Sequence, residues 1–192
     1  LNIPSKVNVV NANEILNGEK ILRHAATGSP APHSDLFRYA LLLKTDFIWV
    51  DLDILPLKPF DFKDEWIFGY ESTSIINGAV LRIPKNSKTL QSLSAFNVNT
   101  KGIPPHIDLI SISMIKFIIK SIISRSTSIE HWPWGSTCPL GLTYFLNKYN
   151  EAHYALDIEA FYPVPFENVE NLLKPNFIQD NRKKKKTWAV HL

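Results

Sequence analysis

The sequence predicts an α/β fold in a single domain. Short apolar stretches bounded by turn residues, at 46–50, 66–71 and 76–84, read as strands, and they alternate with helix-period segments at 35–44, 107–123 and 140–149. No internal repeat or linker interrupts the 192 residues, a length that suits one hydrophobic core.

Taken in order, "VNVV" (7–10) predicts a first strand, and "NANEILNGEK" a short helix or turn. Residues 23–35, rich in small residues and proline, predict a surface loop, after which Ser34 is expected to cap a helix over 35–44. The strand at 47–50 follows, and then the two strands at 66–71 and 76–84 joined by a polar turn. Helix is expected over 87–99, 107–123 and 140–149. Residues 155–166 predict a strand and a turn, 167–173 a short helix, and "TWAVHL" (187–192) a last strand.

A hydrophobic content of 45% with 20% charged residues fits a globular class. Apart from the run Lys183 to Lys186 the chain is close to neutral, and nothing suggests a nucleic-acid binder with a broad basic face. The lone cysteine, Cys138, excludes an internal disulfide and leans towards a reducing compartment. The most apolar stretch, 107–124, contains Asp108, Lys116 and Lys120, and its spacing predicts an amphipathic helix rather than a span. The first residue is Leu1, so the chain is read as a piece of a longer protein.

"DFIWVDLDILPLKPF" (46–60) carries the functional argument: an apolar run breaks into Asp51 and Asp53, one residue apart. On a strand, positions i and i+2 share a face, so both carboxylates are expected to emerge together at its carboxyl end. Two adjacent carboxylates repel, and a divalent cation resolves the conflict; hard oxygen ligands favour magnesium, manganese or calcium. The plain alternative is a pair of solvated acids at a strand end. In the preceding helix, "DLFRYALLL" (35–43), the only charges are Asp35 and Arg38, one turn apart. They form either an intrahelical ion pair or a carboxylate for sugar hydroxyls beside a guanidinium fork for a phosphate.

Together, "GSPAPHSDLFRYALLLKTDFIWVDLDILPLKPFDF" resembles the sugar-nucleotide segment of D-x-D glycosyltransferases. The match is to the α-1,4-glycosyltransferase-like group, which includes globotriaosylceramide synthases and bacterial polysaccharide enzymes. Four further blocks follow in order: "IFGYE" with "INGAVLRIPKNS", "WGSTCPLGLTYFLNKY", "EAFYPVPF" and "WAVHL". The last three are similar to the group's W-G-x-x-G-P-x-x-L-T helix start, its F-Y-P turn and its terminal A-V-H-x-W-N. Asp46 and Phe47 stand where the group has two glycines, Cys138 replaces the glycine of G-P, and the sequence ends before the expected Trp-Asn.

The resemblance implies a GT-A fold, a twisted mixed sheet flanked by helices and here lacking its first strand. It also implies a nucleotide-diphosphate sugar donor (a UDP-sugar of the galactose or N-acetylglucosamine class), a glycan or glycolipid acceptor, Mn2+ or Mg2+, and retention of anomeric configuration. By the same resemblance Asp51 and Asp53 hold the metal and donor diphosphate, and Asp35 and Arg38 contact the donor sugar and its phosphate. Asn77 stands near the donor sugar, although an Asn-Gly pair is first a turn signal. His191 reaches the metal from the last strand; imidazole is compatible with manganese. Trp134 and Gly135 are expected to support the acceptor side. No covalent nucleophile or general base stands out. Lys183, Lys184, Lys185 and Lys186 read as a solvated loop, with contact to an anionic membrane as the partner such a run allows. The compartment is cytoplasmic for a bacterial protein, the expectation favoured here, or the Golgi lumen for a eukaryotic one.

Two other readings stand beside this one. A haloacid-dehalogenase-type phosphatase also places D-x-D after an apolar strand, but it needs a later acidic pair that this sequence does not offer. A non-catalytic or degenerate sugar-binding domain would keep the five blocks without the activity.

Overall fold

A computed structural model of the chain describes residues 5–108 and 111–192. Helix α1 (Ala31–Lys44) begins before Asp35, because Pro30 takes the cap position and its carbonyl accepts from the amides of His33 and Ser34. Ser34 therefore lies inside the first turn and is not the cap. Prolines favour such a start, having no N–H to leave unpaired in the first turn. The helix stops at Thr45, whose hydroxyl donates back to the Leu41 carbonyl at 2.9 Å.

The strands are β1 (Trp49–Val50), β2 (Ile54–Pro56), β3 (Ile67–Tyr70), β4 (Ile76–Arg82) and β5 (Ala189–His191). They form two small antiparallel sheets, ordered β1-β4-β3 and β2-β5. Among the described residues, the one parallel pairing is an isolated bridge from Gly69 to Leu156. The class is thus mixed α/β, as the alternation predicts.

Helices α2 (Lys88–Ser94) and α4 (Leu140–Lys148) join α1 on one side of the larger sheet. Tyr39, Leu42, Phe68, Leu81, Leu90 and Leu142 make the core there. A second core gathers Ile54, Ile67, Val80, Phe161, Tyr162 and Ala189, so that it ties the two sheets together. A third core gathers Leu22, Leu36, Phe117, Ile129 and Trp132, and each large side chain so removed from water contributes about 1.5–3 kcal/mol.

Several expectations change. Residues 7–10 lie in exposed irregular chain and pair with nothing as a strand, since their apolar side chains find no core. Residues 155–166 contribute one bridge and short 3-10 turns in place of a strand. The helix expected over 87–99 ends at Ser94. Lys183 belongs to a short helix, α5 (Phe177–Lys183), and is not part of the loop. The long helix α3 is Ile112–Ser124; residues 109 and 110 of its expected start lie outside the described residues. Among the described residues no helix is long and apolar enough to cross a membrane.

Candidate functional site

Strand alternation holds as far as Asp51 and then fails. Trp49 and Asp51 share the side that faces α1: the Trp49 indole N–H donates to Asp51 Oδ1 at 2.5 Å, and its ring lies 5.1 Å from the Arg38 guanidinium carbon. After Val50 the chain turns, with the Ile54 amide donating to the Asp51 carbonyl at 3.2 Å and Leu52 fully exposed. Asp51 and Asp53 are therefore two corners of one turn and not neighbours on one strand face.

Asp35, Arg38 and Asp51 come together. Arg38 Nη2 donates to Asp51 Oδ1 at 2.9 Å and to Oδ2 at 3.3 Å, while Nη1 lies 3.6 Å from Asp35 Oδ1. The repulsion expected between the D-x-D carboxylates is therefore relieved at Asp51 by an arginine. Asp35 and Arg38 are both buried. The Thr137 hydroxyl donates to Asp35 Oδ2 at 2.5 Å, and Tyr39 beneath them donates to the Thr137 carbonyl at 2.9 Å. Burial lifts the Asp35 carboxyl to about 6, against the opposing pull of Arg38 and the Thr137 hydroxyl.

Gly78 admits this cluster into the sheet. A Cβ there would stand 2.6 Å from Arg38 Nη1 and 2.7 Å from Cys138 Sγ, so only hydrogen leaves room for the guanidinium against β4. Arg38 also donates to Cys138 Sγ at 3.3 Å. Burial pushes the Cys138 thiol up to about 12 although Arg38 pulls it down, so the thiol form is favoured at neutral pH.

Asp53 sits in a different setting. It is exposed, and its Oδ2 lies 3.4 Å from His191 Nε2. The β2–β5 ladder fixes this approach: Ile54 pairs with His191, and the Leu192 amide donates to the Asp53 carbonyl at 2.9 Å. The Tyr162 ring packs edge-on to the His191 imidazole at 5.5 Å. An oxygen and a nitrogen donor side by side, both reachable from solvent, are two groups that could hold a divalent cation. Among the described residues no group of three or more His, Cys, Asp or Glu side chains converges as a metal site.

Asn77 stands apart from these contacts. Its amide donates to Glu71 Oε2 at 3.0 Å and its carbonyl accepts from the Ala79 amide at 2.8 Å. The Ala79 carbonyl in turn accepts from the Asp51 amide at 2.8 Å, so Asn77 braces the segment that holds Asp51. Trp134 is more than half exposed and meets His24 edge-on at 5.3 Å; His24 itself is a satisfied core residue bound to Thr27 and Trp132. A surface concavity bounded by Thr45, Phe47, Arg82 and Lys85 lies at the other end of α1 and touches none of the site acids.

Sequence reasoning missed Trp49, Gly78 and Thr137. Trp49 was within reach, two residues before Asp51 and so on its face, and Gly78 follows Asn77 directly. Thr137 carries no local signal, because it meets Asp35 across 102 positions of chain. Comparison of the chain with protein-family models, with characterised proteins and with solved structures returns no match.

Proposed function

We propose that the chain is the donor-binding core of a metal-dependent, retaining glycosyltransferase of the GT-A class, using a nucleotide-diphosphate sugar. The observation that carries this reading is that α1 and the last strand both meet one turn: Arg38 from α1 grips Asp51, and His191, far along the chain, faces Asp53. Five sequence blocks in family order support it independently.

In this reading Asp53 and His191 hold the metal, with Asp51 as their neighbour on the turn. Bound there, a divalent cation supplies Lewis-acid relief of the charge building on the leaving diphosphate. Arg38 fixes Asp51 by a two-point contact and would supply positive charge for the donor phosphates, and Asp35, held by Thr137, would serve the donor sugar. Asn77 keeps the Asp51 backbone in place. Two acids on one turn cannot straddle a glycosidic bond from both sides, as a glycosidase pair separated by roughly 5 to 9.5 Å does.

A second reading, a binding domain without transfer activity, is favoured by one observation: Asp35 and Arg38 are buried, and their carboxylate and Nη groups are already engaged with each other and with Asp51 and Thr137, while Arg38 Nε has no hydrogen-bond partner among the described residues. A thermal-shift panel of nucleotide sugars with and without manganese, run on the full-length chain, tests both. A matched sugar nucleotide at a hundred times its dissociation constant adds about 2.7 kcal/mol, and does so only with metal present. Metal-dependent release of the nucleotide, with an α-configured product by NMR, supports transfer; binding without turnover supports the second reading. No stabilisation by any donor ends both.

A further inference from the structure

Helix α3 turns most of its apolar surface outward. Only Met114 and Phe117 are buried, against a small cluster that includes Leu22, Leu36, Ile129 and Trp132. Ile112, Ile115, Ile118, Ile119, Ile122 and Ile123 are 48–78% exposed. At one residue per 100° they cover an arc of about 140°, wider than the two-in-seven seam of a paired helix. Single exposed apolar residues are ordinary on a protein surface; six on one helical face are not.

Lys116 and Lys120 stand one turn apart along the border of this arc, and they line a shallow groove with Ile119, Ile123 and Ser124. The helix contains no acidic residue; the nearest acid before it is Asp108. The helix is about 20 Å long, too short to cross a hydrocarbon core of about 30 Å.

We propose that α3 is an interfacial helix that lies in the plane of an anionic lipid bilayer. Its isoleucines enter the acyl boundary, and Lys116 and Lys120 reach up to the lipid phosphates. Charge selects this occupant over a second copy of the chain. Two-fold pairing through the same face would set these lysines among copies of themselves with no acid on the helix to answer them, whereas anionic headgroups supply the missing charge. The site differs from the basic run at 183–186, where Lys183 and Lys186 already face Asp180 and Asp157. The inference does not depend on the glycosyltransferase reading.

Co-sedimentation of the full chain with phosphatidylcholine vesicles, with and without phosphatidylserine, tests it. Binding is expected on the anionic vesicles and should weaken as salt is raised. Lys116→Ala and Lys120→Ala should each reduce it roughly fivefold. An Ile119→Ser/Ile122→Ser variant should fall to background with an unchanged circular dichroism spectrum, since both side chains are more than half exposed. Should that variant not fold, the wild-type contrast between neutral and anionic vesicles decides. Absence of binding to anionic vesicles overturns the proposal, as does equal binding to both kinds. So does a concentration-dependent dimer that the double serine variant abolishes.

Discussion

Gly78 and Asp35 carry opposite kinds of constraint, one of space and one of charge. Gly78→Ala would drive a methyl group into Arg38 and Cys138, both already buried or nearly so. Overpacking of this kind costs about 1–3 kcal/mol, and here it would also push the guanidinium off Asp51. Chemical denaturation should show the lost stability, and under the proposed donor-binding reading sugar-nucleotide affinity should fall along with it. Asp35 acts through its proton. Its carboxyl titrates at about 6 in the fold, above its ordinary value of 3.8, so the folded state holds a proton that the unfolded chain has released. The stability this gives is complete below pH 4 and is lost as pH rises through 6, a change on the order of 3 kcal/mol. Asp35→Asn has no such proton to lose. Its stability relative to wild type should therefore rise between pH 4 and pH 7 in parallel urea titrations. A flat difference would show that Arg38 compensates the burial fully.

At the scale of elements, α2 depends on a cap from far along the chain. The Glu151 carboxylate accepts from the Ser87 hydroxyl at 2.7 Å and from the amides of Lys88 and Thr89 at 3.2 Å, and the Ser87 hydroxyl oxygen accepts from the Leu90 amide at 3.2 Å. Glu151→Ala strips the first turn of a charged acceptor and should cost about 1–2 kcal/mol by thermal or urea unfolding, with Glu151→Gln recovering part of it. The helix starting near Ser87 was legible in "SKTLQSLS", and β3, β4 and α4 were legible from their apolar periodicity. Glu151 was not, for its role exists only once α4 has brought it back across 64 positions to Ser87. The same holds for α1, where the periodicity of 35–44 is right but prolines extend the start to Ala31. In α3 the apolar spacing announces a helix but cannot say whether its wider face meets core or solvent.

Over the whole molecule, the candidate residues Asp35, Arg38, Asp51 and Asp53 were legible as one short string and His191 through the resemblance, while Trp49, Gly78 and Thr137 were not. Asp35, Arg38, Asp51 and Asp53 lie within nineteen positions of one another, and the structure joins the first three through Arg38. The turn at Asp51 defeats the alternation rule because Leu52 leaves the sheet, and no composition signal marks that departure. The Asp53–His191 pair is a property of assembly. It exists only while β5 is docked on β2, and that ribbon is three residues wide. Asp53→Asn and His191→Ala should each weaken manganese binding, read as the metal-induced rise in melting temperature, while Asp61→Asn, a change outside both clusters, leaves it unaltered.

The same ribbon has a practical consequence for how the protein is handled. Because the Leu192 amide bonds the Asp53 carbonyl, anything joined after Leu192 emerges directly beside the acid. A polyhistidine tag at that end would bring its own imidazoles to the place where His191 stands, and would bind manganese or nickel there whether or not Asp53 is intact. With the tag joined after Leu192, metal titrations should lose their sensitivity to Asp53→Asn; joined before Leu1 instead, the tag should restore it.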